Sequence, residues 1–367
     1  MPVSKLLVYG HSYAAGSGET TGENRVSSQL ARALKVTETN RAVGASALCA
    51  DNYAAADPGA PWPQTGGWVH VMQTHTPVRT RAPYLSPVQV IVLYHGLNDL
   101  ALVGIQNLAA TFKPALHAVI DRLRAGAVFE DNHATVTYAG TWATITNSTL
   151  GSGIGNHYTS TSGASVTIAV PSDFPGGTIT AGTTGVAGIP GSEHVGANLR
   201  AREAGTLLAE TSTFNLGESS QYAPATLRIN ELAAGPHQIT VTFENVVGNN
   251  FFDYWEIEAN PAPLVVVPLA NELLSYTAHG TGWPFQVDSE DIAALNVAVT
   301  EVASEYAAGR VLAVPTDDVM AGSWANFQAD GVHPNAQGAA LIAHRLYEAI
   351  TQAVQADTRS ALLTGVA

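Results

Sequence analysis

The spacing of apolar residues changes character twice along this chain of 367 residues, and that double change limits the folds open to it. From Lys5 to about Gly126, short apolar runs alternate with stretches of helical spacing: Leu6 to Tyr9, Ser27 to Leu34, Val88 to Tyr94 and Leu108 to Leu123. The last carries Leu108, Phe112, Leu116, Val119, Ile120 and Leu123, which fall on one face of a helix. Strands alternating with helices predict a parallel sheet covered by helices on both faces.

Between about Ala127 and Asn260 the helical period vanishes. Strand-length runs broken by Gly, Ser, Thr and Pro replace it: Thr135 to Tyr138, Ser165 to Ile168, Thr206 to Ala209, Ala225 to Ile229, Gln238 to Phe243 and Phe252 to Ile257. Runs of this length with turn residues between them predict an antiparallel sandwich. After Pro261 the first pattern returns, with a buried-strand run from Leu264 to Leu269, a helix from about Ser289 to Ala308, a strand from Arg310 to Val314 and a helix from about Ala336 to Ala353. The simplest account is one α/β domain, 1–126 with 262–356, interrupted by an inserted β-sandwich at 127–261. A tail at 357–367 has no clear pattern. Insertions of this kind are tolerated at strand ends.

Composition narrows the function. Hydrophobic residues make up 46% and charged residues 13%, enough apolar material for packed cores and too little charge for a disordered chain. The net charge is -14, with no cluster of basic residues, so a nucleic-acid partner is not expected. The single cysteine, Cys49, excludes an intramolecular disulfide and a multi-cysteine metal site. No apolar run reaches the length of about 18 residues that a membrane helix needs. Met1-Pro2-Val3-Ser4-Lys5 leads directly into Leu6-Leu7-Val8-Tyr9 without a small-residue cleavage site, which reads as a first strand, not a signal peptide.

Ser12, in Gly10-His11-Ser12-Tyr13, directly follows the first strand. That places it at the carboxyl edge of the sheet, where open α/β folds hold their sites. The G-x-S-x-G elbow is missing, because Ala14 stands where its second glycine would be. A serine hydroxyl needs a base, and the base needs an orienting group. Asp330-Gly331-Val332-His333-Pro334-Asn335 offers both, with a spacing that lets a turn fold the carboxylate onto the imidazole. Donors for an oxyanion are available from Gly44, in Arg41-Ala42-Val43-Gly44-Ala45-Ser46, and Asn98, in Tyr94-His95-Gly96-Leu97-Asn98-Asp99, together with the Ser12 N–H.

These four blocks, in this order and over the α/β portion, resemble the SGNH (GDSL-like) hydrolase family. The resemblance implies a flavodoxin-like three-layer α/β/α fold and a serine esterase. It makes Ser12 the nucleophile, Asp330 and His333 its acid–base pair, and Ser12, Gly44 and Asn98 the oxyanion hole. His11 is a departure, since the family commonly carries aspartate beside the serine; altered local hydrogen bonding with activity retained is the expectation. Gly235-Pro236-His237 to Phe243, followed by Phe252 to Ile257, is similar to galactose-binding-like carbohydrate-binding modules. Together the two resemblances imply hydrolysis of a short acyl ester, such as O-acetyl, on a polysaccharide or cell-wall glycan. They would suit a protein delivered by a phage particle or another export route, with a cytoplasmic setting as the alternative. The rival expectations are a lipase or thioesterase acting on longer acyl chains, and an inactive glycan-binding or virion adhesion protein.

Each motif alone has an ordinary structural use, serines and Asn-Asp pairs being common in caps and turns; their order is what carries weight. Asp99 is expected to cap a helix, and His70, His75, His95 and His279 to be structural or surface residues. No histidine pair has metal-ligand spacing, so neither a catalytic metal nor a cofactor is expected. Gly151-Ser152-Gly153-Ile154-Gly155 reads as a loop and not a phosphate cradle, for no Lys-Ser/Thr pair follows. Trp62, Trp68, Trp283 and Trp324 lie in Gly- and Pro-rich stretches, where aromatics serve mostly as core or loop anchors but can stack on a sugar at a cleft rim; Trp68, Trp283 and Trp324 are the candidates for stacking.

Overall fold

The computed structural model describes residues 3–17, 22–44, 46–49, 67–75, 88–145, 156–186, 196–214, 222–259, 262–271, 287–307, 309–320 and 323–363. Trp62, Trp283, His279 and the 151–155 loop lie outside them.

The chain opens with β1 (Val3–Gly10), α1 (Ser12–Ala15), α2 (Val26–Leu34), β2 (Glu38–Asn40), α3 (Trp68–Thr74), β3 (Val88–Tyr94), α4 (Leu97–Val103) and α5 (Lys113–Arg124). Leu6, Leu7, Val8 and Tyr9 are all buried, as are Val90 to Tyr94. Successive strand residues face opposite ways, so unbroken burial means that both faces of the sheet are covered. The helical run from Leu108 is divided: a π-helical turn, Leu108–Phe112, precedes α5 and keeps both end residues buried. Pro114 sits at the start of α5, directly after that π-helical turn. Helix α5 buries Leu116, Val119, Ile120 and Leu123, and also Asp121, Arg122 and Arg124. A helix covered so widely has neighbours on more than one side.

The second group of strands supplies one of those neighbours. It comprises β4 (Ala125–Glu130), β5 (Val136–Ala139), β6 (Ala143–Ile145), β7 (Asn156–Thr159), β8 (Ser165–Val170), β9 (Gly177–Val186), β10 (Gly196–Glu203), β11 (Thr206–Ser212), β12 (Tyr222–Leu232), β13 (His237–Val247) and β14 (Asn250–Glu258). They form one sheet of order β11-β10-β13-β8-β5 and another of order β12-β9-β14-β7-β6, with β4 added against β14. Every pairing in them is antiparallel. Alternate residues point inward: Val166, Ile168 and Val170 from β8, and Ile239, Val241 and Phe243 from β13. They share one core with Ile179, Leu227, Phe252 and Trp255. The entry strand β4 and the exit strand β14 are paired, Ala127 opposite Ile257, and Ala259 N–H donates to Arg124 C=O at 2.8 Å. The chain therefore leaves and re-enters the first body at one place, which lets a sandwich this large interrupt it.

The chain then returns through β15 (Leu264–Pro268), α6 (Ser289–Ser304), β16 (Val311–Val314) and α7 (Ala336–Leu363). Asp288 caps α6 by accepting from Glu290 N–H and Asp291 N–H at 2.9 and 3.0 Å, and Asp291 reciprocates to Asp288 N–H. The first sheet has the order β2-β1-β3-β15-β16, all parallel. Helices α2 and α7 pack together, as do α3, α5 and α6. The order places a topological switch at β1, whose neighbours continue in opposite directions across the sheet, and ligands bind beyond strand carboxyl ends at such a point.

The structure departs from the sequence reading in several elements. Helix α3 was not expected; α6 ends at Ser304, short of Ala308; and α7 reaches Leu363, within the stretch 357–367 assigned to a patternless tail. No helix among the described residues is long and apolar enough to cross a membrane.

Candidate active site

Ser12 begins the short turn α1 immediately beyond β1. Gly10 makes this junction possible: a Cβ there would lie 2.6 Å from Tyr94 C=O and 2.8 Å from Tyr94 Cβ, so only glycine lets β1 and β3 approach this closely. His11 N–H donates to Tyr94 C=O at 3.0 Å and fixes the start of the turn against β3.

The segment after β2 runs alongside the end of β1, with Arg41 N–H on Val8 C=O and Val43 N–H on Gly10 C=O, both at 2.8 Å. That pairing carries Gly44 to the edge where Ser12 sits. Ser46 then ties the loop down. Its hydroxyl donates to Gly10 C=O at 3.1 Å, and its carbonyl accepts from Asn98 Nδ2 at 2.9 Å. One amide hydrogen of Asn98 is thereby engaged and the other is left for a second acceptor. Nothing in the backbone demands glycine at 44: its φ is not left-handed, and a Cβ would make only ordinary contact with Ser17 Oγ at 3.5 Å.

Asp99, fully buried, accepts from Cys49 N–H at 2.6 Å and Gly96 N–H at 3.0 Å. It caps α4 as expected and also binds the loop beyond Gly44 to the loop carrying Asn98. Burial pushes its carboxyl up, against the hydrogen bonds from Cys49, Leu48 and Gly96.

The loop between a short 3-10 turn, Trp324–Asn326, and α7 carries Asp330 and His333. It closes on itself through Gln328 N–H to His333 C=O at 2.8 Å and Gly331 N–H to Gln328 C=O at 3.0 Å, with Gly331 left-handed at φ 67°. Asp330 Oδ1 accepts the N–H groups of Val332 and His333 at 2.9 and 3.0 Å, and its Oδ2 meets His333 Nδ1 at 2.7 Å. Burial pushes the Asp330 carboxyl up, but the hydrogen bonds from His333 and Val332 outweigh it and hold it below the usual carboxylate range. An ionised Asp330 fixes the proton on Nδ1, so Nε2 is the nitrogen left to act as a base. Tyr13 Oη donates to Val332 C=O at 2.6 Å and Gln328 Nε2 to Ser17 C=O at 2.9 Å. The two bonds strap this loop to the turn that bears Ser12.

The Ser12 hydroxyl lies 3.5 Å from His11 Nδ1. His11 is buried, and burial, then the charges of His95 and His333, hold its pKa well below the usual imidazole range. Sequence reasoning overlooked Tyr13, Ser46 and Gln328, which join the pieces. A tyrosine next to Ser12 in a buried turn is the one readable signal, since a buried phenol needs a partner.

Trp68 is 1% exposed in the core beside Leu48, Val71 and Met72, so the rim position expected of it is corrected to a core position. Trp324 is 58% exposed, in the turn that leads into the Asp330–His333 loop. His75 and His95 are buried, and burial lowers each to about 3. Among the described residues, no group of three His, Cys, Asp or Glu side chains could hold a metal ion.

Neither a protein-family model nor a curated protein matches the sequence. Solved structures do. A carbohydrate acetylesterase family member from Sinorhizobium meliloti is similar over 96% of this chain and 100% of its own, at 14% identity and a TM-score of 0.43. A β-1,3-glucan-binding family 6 carbohydrate-binding module from Bacillus halodurans matches 36% of this chain and 96% of its own, at 17% identity and a TM-score of 0.28. A family 43 arabinoxylan arabinofuranohydrolase from Bacillus subtilis matches 35% of this chain at 16% identity and a TM-score of 0.27, and this chain spans 26% of that enzyme's length. At low identity, then, the chain is similar to a carbohydrate acetylesterase along nearly all its length and to carbohydrate-binding proteins over about a third of it.

Proposed function

We propose that the protein is a serine esterase of the SGNH type that removes short acyl groups, O-acetyl foremost, from a polysaccharide or cell-wall glycan. In this reading 1–126 and 262–356 form a flavodoxin-like, three-layer catalytic unit, and 127–261 forms a glycan-binding sandwich. The observation that carries it is the Asp330–His333 pair, 2.7 Å apart and strapped through Tyr13 and Gln328 to the turn holding Ser12.

Ser12 Oγ attacks the ester carbonyl while His333 Nε2 accepts its proton. Asp330 keeps the imidazole in the productive tautomer and stabilises it once charged. The carbonyl oxygen, becoming negative, receives hydrogen bonds from the N–H groups of Ser12 and Gly44 and from the Asn98 amide. As the bond from the carbonyl carbon to the sugar oxygen breaks, His333 protonates that oxygen, so the sugar leaves as its alcohol and an acyl group stays on Ser12. Water, deprotonated by the same imidazole, releases it. The exposed Trp324, in the turn that leads into the Asp330–His333 loop, would stack on a sugar ring in this reading. A glycan-binding sandwich would raise the local concentration of polymer-bound ester.

Hydrolysis of p-nitrophenyl esters from acetate to long chains, by the wild type and by Ser12→Ala, tests this reading. The expected result is a rate greatest on acetate and lost in the variant. A rate that rises with chain length would transfer the assignment to a lipase, and equal rates in the two proteins would remove Ser12 from the chemistry.

A further inference from the structure

We propose that His11 is a positioning residue for the nucleophile, a neutral imidazole whose Nδ1 caps the first turn of α1 and so holds Ser12 in place. The inference rests on Ser12 being the nucleophile. Nδ1 lies 3.4 Å from Tyr13 N–H and 3.5 Å from Ser12 Oγ. A backbone N–H can only donate, so Nδ1 is an acceptor and the ring proton is on Nε2. That bond caps the first turn of α1 and fixes the backbone that carries Ser12, while the Ser12 hydroxyl, 3.5 Å from Nδ1, keeps its one proton for His333 Nε2.

The ring itself is enclosed. Its backbone N–H is bonded to Tyr94 C=O, and the imidazole is 2% exposed. Three rings meet it nearly edge-on: Tyr13 at 5.2 Å, Tyr94 at 5.5 Å and His95 at 6.3 Å between centroids. A side chain enclosed in this way cannot swing out and exchange its partner for water. Its burial also favours the uncharged form. An aspartate here would accept the same bonds but bring a negative charge close to the oxygen that becomes negative during attack. Imidazole provides the acceptor without that charge.

Modification by a fluorophosphonate reads out the readiness of the hydroxyl, and kcat and KM on p-nitrophenyl acetate read out turnover. His11→Asn, whose Oδ1 can take the place of Nδ1, is compared with His11→Leu, of similar bulk but with no acceptor, and with His11→Ala. The expected result for Leu and Ala is a fall of about tenfold in labelling rate and kcat, the kinetic equivalent of one lost hydrogen bond. KM should stay unchanged, and His11→Asn should recover most of the rate. Labelling of the Leu and Ala variants at the wild-type rate, an Asn variant as slow as the Leu variant, or a change confined to KM would overturn the proposal. A wild type that does not label, or a Ser12→Ala variant that labels equally well, would instead remove the nucleophile and the positioning role with it.

Discussion

Gly44 separates a structural from a functional use more sharply than any other position in the site. A glycine is required by a fold when its φ is left-handed or when a Cβ would collide, and neither holds here. Gly44→Ala should therefore fold with stability changed by less than about 0.5 kcal/mol. The same methyl group stands in front of a proposed oxyanion donor, so kcat should fall by about 10- to 100-fold. A melting curve paired with acetate-ester kinetics checks both halves, and a variant of unchanged kcat would strike Gly44 from the oxyanion hole. Gly44 was readable as a candidate because it follows the second strand. Its freedom from structural demand was not, because that depends on Ser17, which sequence does not place beside it. Asp330 and His333 were readable for a local reason: a three-residue spacing across a glycine brings the side chains together without help from the rest of the chain.

Strands and helices follow the same division between local and distant causes. The run from Leu6 to Tyr9 announces β1 because four consecutive apolar residues suit a strand covered on both faces. Helix α3 has only seven residues, two turns, too few to display a period beside its Gly- and Pro-rich flank. That is why Trp68, its first residue, was read as a rim aromatic. Strand β4 was hidden by its small residues, and Gly126 within it marks a close approach, since a Cβ there would lie 2.9 Å from Ala259 Cα. Gly10 is a second glycine that serves an element, with a Cβ there 2.6 Å from Tyr94 C=O. Gly10→Ala must separate the ends of β1 and β3, and should cost about 2–4 kcal/mol, a typical overpacking or strain penalty. Because Ser12 rides on that junction, activity should fall together with stability, unlike in Gly44→Ala. Urea unfolding of the two variants side by side distinguishes them, and a Gly10→Ala protein of wild-type stability would contradict the packing described for β1 and β3.

The sandwich is joined to α5 by charge as well as by chain continuity. Arg228 of β12 reaches Asp121 at 2.7 Å and Arg122 reaches Glu256 of β14 at 3.3 Å, with Asp121, Arg122 and Glu256 all buried. Tyr306 adds its ring beneath Arg228 and its hydroxyl to Asp121. Buried pairs of this kind fix how two bodies meet more than they stabilise either one. They also set the pH response. Burial, with Asp121 and Glu130 adding to it, pushes Glu256 up to about 8 against the pull of Arg122. The folded protein then holds a proton that the unfolded chain releases near pH 4.3, so this group removes stability as pH rises through about 8. His75 and His95, lowered to about 3, act in the opposite sense. The unfolded imidazoles take up protons below about pH 6.5 while the folded ones do not, and at pH 5 each should cost about 2 kcal/mol. Stability should therefore be greatest near pH 6 to 7, by order-of-magnitude balance of these opposing groups. Chemical denaturation between pH 4.5 and 9 checks this: Glu256→Gln should flatten the alkaline limb and His95→Gln part of the acid limb. Wild-type slopes in both variants would contradict it.

The proposed mechanism rests on one covalent bond. Mixing the protein with p-nitrophenyl acetate, quenching with acid during turnover and mapping the peptides by mass spectrometry should find an acetyl group on Ser12, and none there in a Ser12→Ala control. Turnover with the acetyl group on another residue, or with no acyl group on the protein and full activity in Ser12→Ala, would show that the hydrolysis does not pass through this serine.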